Sequence, residues 1–474
     1  MTVASHRAMR VGLAVVLLVG GSAPAVAEGP VLLVSIDGLA ASWLNTREHR
    51  FQIPNLRRLM REGTHATGAT SVMPPVTFPA HTTIITGVHP ACHGIANNRK
   101  FAPKENGNQW YWSAADIKAP TLFVAAHLAR KKTAAVTWPV TSRAPIDLLL
   151  PDFHPLDTLE KVFDMLDGKS GPPAVFQDLP LPRHLINMSD DLRLKVAQRF
   201  LDEAPDLLAV HLLEFDAVQH AWGRNSDEAI QALELVDTNL GQLFRKLEDI
   251  GRWEKTTVVV VSDHGFEDAK TEIRLGRMLQ DAGLVQVESD GRAKAWRAWP
   301  WSGVGTVAIV VAPDATPEEL RKVDRIVEQM LKDRRFGTRR ALWGKQIVDT
   351  GGFPSPRDGR VHVVLEAKPT FYYSRQVHLR QEVAPAAEPG THGRSPENPS
   401  LHAVFVARGP GIRKNHRIGP IHLTDMAPTI AHVLGVSLPN AQGRVLAEIF
   451  EPDQRSSIPD RRVWPAELCP GGTP

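Results

Sequence analysis

Three apolar runs in this sequence each lead into an aspartate. Asp37 closes VLLVSIDG, Asp216 follows DLLAVHLLEF and Asp263 follows TTVVVVS. Three carboxylates brought to one place repel one another unless a cation sits among them. Histidines accompany them: His220 four residues after Asp216, His264 directly after Asp263, and His392 between glycines in GTHG. Neutral imidazole with carboxylate oxygen suits Zn²⁺ best and Mn²⁺ next. Six such ligands are too many for one tetrahedral ion and fit two. Singly, each feature has a plainer meaning. An aspartate after a strand is most often a turn former, and a DxxxH pair is most often a solvated helix face. Their joint occurrence at strand ends and glycine-flanked loops carries the metal reading.

A nucleophile is offered by PPVTFPAHTTIITGVHPACHGIANN, residues 74–98. Thr77 reads as the N-cap of a helix with Pro79 in its first turn. A helix N-terminus has free N–H groups and partial positive charge, so it also binds anions. A threonine alkoxide held there by a divalent ion is a usable nucleophile without a separate general base. The chain has no G-x-S-x-G elbow that would suggest a Ser/His/Asp mechanism.

To converge, these residues need a parallel sheet, because ligands bind beyond the carboxyl ends of its strands. The pattern supplies one. The three apolar runs, with KTAAVTWP and LHAVFVARGPG, read as strands buried on both faces. Between them lie helical patterns such as IPNLRRLMREG, SDEAIQALELVDTNLGQLFRKLEDIG and TDMAPTIAHVLG. Alternation of this kind predicts an α/β/α sandwich with a mainly parallel sheet. From residue 266 to 389 the texture changes to VGTVAIVVAP, the capped helix TPEELRKVDRIVEQMLKD and VHVVLEA. This stretch is expected to be an inserted, smaller α+β subdomain. The expected divisions are a signal peptide at 1–27, a core at 28–265 and 390–450, the insertion at 266–389 and a tail at 451–474.

The set SIDG, TFPAHTTIITGVHPACHGIANN, EFDAVQHAWG, SDHGF and GTHG, in this order, resembles the type I phosphodiesterase/nucleotide pyrophosphatase family of the alkaline phosphatase superfamily. The resemblance implies an alkaline phosphatase-like fold and a phosphoric ester hydrolase with two Zn²⁺, Mn²⁺ being the other candidate. It implies that Asp37, Thr77, Asp263 and His264 hold one ion, and Asp216, His220 and His392 the other. It implies in-line attack by Thr77, a phospho-threonine intermediate, and Asn98 hydrogen-bonded to a non-bridging phosphoryl oxygen. Two positions depart from the family pattern: Ala80 stands where Asn is frequent, and Phe215 where animal members carry Pro. Neither is an expected ligand.

A monoester presents a dianion, which calls for a cationic side chain; a diester carries one charge, for which a neutral donor such as Asn98 suffices. The cations within sequence reach are Arg99, Lys100 and Arg143, with Arg143 a substrate-binding candidate and Thr141 where a superfamily monoesterase would place Lys. The expectation is a phosphodiesterase for a small phosphodiester or nucleotide. The alternatives are a phosphomonoesterase or phosphonate hydrolase of the same superfamily, and an inactive binding protein. QWYWSAAD and KAWRAWPWSG are expected to supply aromatic rings to a pocket wall.

The 474 residues are 43% apolar and 23% charged with a formal net charge of +3, which argues against a nucleic-acid polymer as partner. Arg7 and Arg10, the apolar VGLAVVLLVGG and SAPAVAE predict a signal peptide cleaved near Ala27 and export to the periplasm or medium. No segment is expected to span a bilayer. Cys92 and Cys469 could pair or stay free; their spacing does not decide it.

Overall fold

The computed structural model describes residues 28–46, 51–105, 109–153, 158, 176, 179–184, 188–458 and 469. The expected signal peptide lies outside them. The main sheet has eight strands: β1 (Val31–Ile36), β2 (Thr64–Ala66), β3 (Thr133–Val136), β4 (Leu148–Leu150), β5 (Leu207–Leu212), β6 (Thr257–Val261), β7 (Phe405–Arg408) and β8 (His416–Ile418). Their order is β8-β2-β7-β6-β1-β5-β3-β4. Only β7 runs antiparallel to its neighbours, β6 and β2. The expected α/β class with a mainly parallel sheet is therefore the fold of this chain.

Burial of the strands on both faces explains their unbroken apolar runs. Along β1, Leu32, Val34 and Ile36 pack into one core with Phe200, Leu240 and Phe244, whereas Val31 and Leu33 pack into a second with Ile84, Ile430 and Phe450. The period-two alternation of a strand thus feeds two helical layers. The first layer contains α1 (Pro54–Glu62), α3 (Asp190–Asp202) and α5 (Asp227–Asp249); the second contains α2 (Thr77–Thr86) and α6 (Met426–Leu434). Between α3 and α5, after β5, comes α4 (Glu214–Trp222), which carries Asp216 and His220.

Residues between β6 and β7 build separate sheets. Strands 298–302, 306–311, 338–343 and 360–367 form an antiparallel four-stranded sheet. The capped helix Pro317–Lys332 closes a third core over it with Val307, Ile309, Val323 and Val327. The strand Glu267–Ile273 pairs with Thr370–Tyr373, Val383–Pro385 and Gly390–Thr391. That last pairing carries the chain into the His392 loop. At the far end, Cys469 is disulfide-bonded to Cys92, the alternative the sequence left open.

Candidate active site

In parallel register, β6, β1 and β5 end side by side: Ser35 stands opposite Val261 and Ile36 opposite Leu212. Asp37, Asp263 and the start of α4 therefore emerge at one edge of the sheet. Asp37 and Asp263 are almost fully buried. The donor atoms of Asp37, Asp216 and His264 lie within 4.8 Å of one another, as do those of Asp216, His220 and His392. Asp216 belongs to both groups. The sets implied by resemblance differ in two respects: they place Asp216 with His220 and His392 alone, and they include Asp263, which belongs to neither group.

Several of these atoms lack partners. Asp37 Oδ1, Asp216 Oδ1, Asp263 Oδ2 and His264 Nε2 are buried and make no hydrogen bond. Nε2 of His264 lies 3.0 Å from Asp263 Oδ2 and 3.5 Å from Asp37 Oδ1 without hydrogen-bond geometry to either. Lone pairs converging in this way fit a divalent cation, because a buried unpaired polar atom otherwise costs about 1–3 kcal/mol. The electrostatics agree. Burial, then repulsion from Asp263 and Asp216, pushes the Asp37 carboxyl well above its usual range. Burial also pushes Asp263 up, but His264, His81 and the Gly38 N–H outweigh it and hold the carboxyl low. Burial and the neighbouring imidazoles keep His392 neutral, the form that binds metal.

The other histidine nitrogens are committed to orienting the rings. Nδ1 of His392 is 3.0 Å from the Pro75 carbonyl, that of His220 3.2 Å from the Gly390 carbonyl, and that of His264 3.1 Å from the Gly265 carbonyl. Each carbonyl accepts the Nδ1 proton and leaves Nε2 as the ligand atom. A further histidine escaped the sequence reading. His211 Nε2 is 3.0 Å from Asp37 Oδ2, while its Nδ1 is 3.1 Å from the Thr137 carbonyl. As the one strongly polar residue inside the apolar run of β5, it carried a signal that was available.

Thr77 is not the N-cap. Val76 takes that position with extended backbone, and Thr77 is the first residue of α2. Instead Asn98 caps the helix, its Oδ1 accepting from the Phe78 N–H at 2.8 Å. The exchange releases the Thr77 hydroxyl, which makes no hydrogen bond to any described residue. It also sets the Asn98 amide, with Nδ2 left as a donor. An analogous exchange serves α4: Asp190 accepts from the Leu213 and Glu214 N–H groups, both at 3.0 Å, so Asp216 is free of capping duty.

Thr77, Asn98, Asp37, Asp216, His220 and His392 line one cavity of about 580 Å³. Asp263 and His264 are fully buried behind it. Phe78, Trp110, Trp112 and Phe153 form its aromatic side, with the Trp110 and Trp112 rings stacked 5.2 Å apart. Trp299 and Trp301, from the second aromatic stretch, line a neighbouring cavity instead. Asp152 also faces the Thr77 cavity, and burial pushes it up to about 7. Among the cations expected from sequence, Arg143 is exposed and is not in the cavity lining, and Lys100 is paired with Asp116 at 2.7 Å. Arg99 lies over the Trp110 ring at 5.0 Å. Arg375, which sequence reasoning missed, is the single Lys or Arg among the described lining residues. It follows the strand Thr370–Tyr373, in a loop with no motif to mark it.

Residues 31–393 match the profile of the type I phosphodiesterase / nucleotide pyrophosphatase family. The chain is 30% identical over 272 residues to ectonucleotide pyrophosphatase/phosphodiesterase family member 1 of Mus musculus, covering 54% of this chain and 26% of that protein. It is 28% identical over 406 residues to a venom phosphodiesterase of Macrovipera lebetinus, covering 82% of this chain and 41% of that protein. The alignment thus spans about a quarter of the length of the mouse relative. In fold, the chain is similar to murine ectonucleotide pyrophosphatase/phosphodiesterase 5, solved as an inactive variant in complex with AMP. The TM-score is 0.66 at 19% identity, over 90% of this chain and 100% of that one.

Proposed function

Since the chain belongs to the type I phosphodiesterase/nucleotide pyrophosphatase family, we propose that it is a metal-dependent phosphodiesterase acting on small phosphodiesters or nucleotides. The observation that carries this reading is the Thr77 hydroxyl, free at a helix N-terminus and facing the same cavity as Asp37, Asp216, His220 and His392.

In this reading Asp37, Thr77, Asp263 and His264 hold one ion and Asp216, His220 and His392 the other, Zn²⁺ being the better match to the donor set and Mn²⁺ the next. When bound, the pair supplies positive charge that favours the ionised threonine and the departing oxygen. The remaining work falls to the chain. Thr77 Oγ1 attacks phosphorus in line with the leaving oxygen and forms a phospho-threonine, which water then hydrolyses. The N–H groups of the first turn of α2 and Asn98 Nδ2 donate to the phosphoryl oxygens as charge builds on them. Phe78, Trp110, Trp112 and Phe153 hold an aryl or base substituent by stacking. The 266–389 segment is the inserted subdomain in this scheme, and its Arg375 faces the reacting centre. The N-terminal pattern and the Cys92–Cys469 bridge favour export to an oxidising compartment, periplasmic or extracellular. Among the described residues no helix is long and apolar enough to cross a membrane.

The test is Thr77→Ala, assayed on a chromogenic phosphodiester with metal content read by plasma emission spectrometry. Turnover falls by at least about 10⁴-fold while metal content is kept, as expected for loss of a nucleophile. Activity within about ten-fold of the parent would remove Thr77 from the chemistry. A phosphomonoesterase is the second reading, favoured by Arg375 in the lining; an aryl monoester run beside the diester decides between them.

A further inference from the structure

Glu267 and Arg394 are buried, and neither lines the Thr77 cavity. Arg394 Nε donates to one oxygen of the Glu267 carboxylate and Arg394 Nη2 to the other, a bidentate pair. Asn398 Nδ2 and Ser400 Oγ, the latter at 2.7 Å, also donate to Glu267 Oε1. Desolvation offsets most of the attraction in a buried ion pair, so stability alone is a weak reason for one. Its place in the chain suggests another. Glu267 stands three residues after His264, and Arg394 two residues after His392. Between them the backbones pair antiparallel, with Thr391 opposite Glu267 and Gly390 opposite Asp268. The His264 and His392 rings stack with centroids 3.8 Å apart and planes within 10°. Yet they belong to different groups of candidate ligands.

The inserted segment holds the other side of the His392 loop. The Gly305 N–H donates to the His392 carbonyl at 3.0 Å, and the Ser395 N–H donates to the buried Glu366 carboxylate at 3.3 Å. A Cβ on Gly393 would lie 2.0 Å from the Gly303 carbonyl oxygen, so the two backbones touch. The loop is thus fixed from both sides, and with it the His392 ring. Metal–ligand distances tolerate errors of only about 0.2 Å. We propose that Glu267 and Arg394 are positioning residues. Their pair clamps the His392 loop to the strand Glu267–Ile273 and thereby sets the affinity of the metal position formed by Asp216, His220 and His392. This inference rests on the two-ion reading and adds the residues that govern its second ion.

The experiment titrates the metal-free full chain with Zn²⁺ against a chromophoric chelator, and with Co²⁺ by visible absorption. His392→Ala identifies which binding step and which absorption bands belong to the second position. Arg394→Met weakens that step about ten-fold or more, the scale of losing a group that orients a ligand, and leaves the first step within about two-fold. Arg394→Lys restores part of the loss. If Arg394→Met does not fold, the double variant Glu267→Gln/Arg394→Met takes its place, because it removes both buried charges together. Unchanged affinity at both steps in a folded variant overturns the proposal. Equal weakening of both steps also overturns it, since a general loosening of the fold acts in that way. If the parent binds a single ion, the two-ion reading fails separately. The clamp is then judged on that ion: about ten-fold weaker binding in the variant upholds it, and equal binding refutes it.

Discussion

Asn98 does two jobs with one amide. Its Oδ1 closes the first turn of α2 through the Phe78 N–H, and its Nδ2 is left to donate into the cavity of Thr77. Asn98→Asp keeps the acceptor and loses the donor; Asn98→Ala loses both. We expect kcat on a simple diester to fall about 10²–10³-fold in both variants, the scale seen when one donor to a developing oxyanion is removed. Only Asn98→Ala should also lose about 1 kcal/mol of unfolding free energy, the usual worth of a cap. Steady-state kinetics and chemical denaturation of the two variants read these effects separately. Equal stability of the two would show that the cap contributes nothing. The residue types of the site are legible in the sequence: Asp37, Asp216, His220, Asp263, His264 and His392 all sit around the same sheet edge and loops. The capping role of Asn98 is not, because a helix cap is sought immediately before the helix and Asn98 lies 20 residues beyond Phe78.

At the scale of elements the same device recurs three times. The first-turn N–H groups of α1 are capped by Asp237 of α5, those of α2 by Asn98 and those of α4 by Asp190 of α3. Each cap ties a helix end to a distant element. For α2 and α4 it leaves Thr77 and Asp216 free for other partners. Asp190 offers the sharpest test. It is buried, and it also pairs with the buried Arg193 at 3.1 Å. Asp190→Ala strands that guanidinium together with two N–H groups, and should cost about 3–5 kcal/mol. It should also lower metal content, because α4 positions both Asp216 and His220. Urea unfolding and plasma emission spectrometry measure the two. Full metal content in a destabilised variant would mean that α4 holds its place without the cap. Strand positions, by contrast, are readable from their doubly buried apolar runs, and so is the mainly parallel sheet.

For the molecule as a whole, the Cys92–Cys469 bridge joins the short helix Pro90–His93, close after α2, to a residue 377 positions on. Closing so long a loop restricts the unfolded chain, and removing such a bridge costs about 2–5 kcal/mol. Cys469→Ser should lower the unfolding midpoint of oxidised protein to that of the reduced parent, read by thermal scans with and without reductant. A parent insensitive to reductant would show the bridge to be absent or without weight. The sequence by itself determined the α/β class, the family, and the chemical types gathered at the site, because strand burial and ligand identity are written in local runs and short motifs. The tertiary structure alone decided three things: which atom caps which helix, which cysteine meets which, and which cation reaches Thr77. Arg375, rather than Arg143, faces that cavity. These are contacts between residues far apart along the chain, and local spacing holds no record of them until the sheet and its insertion bring the parts together.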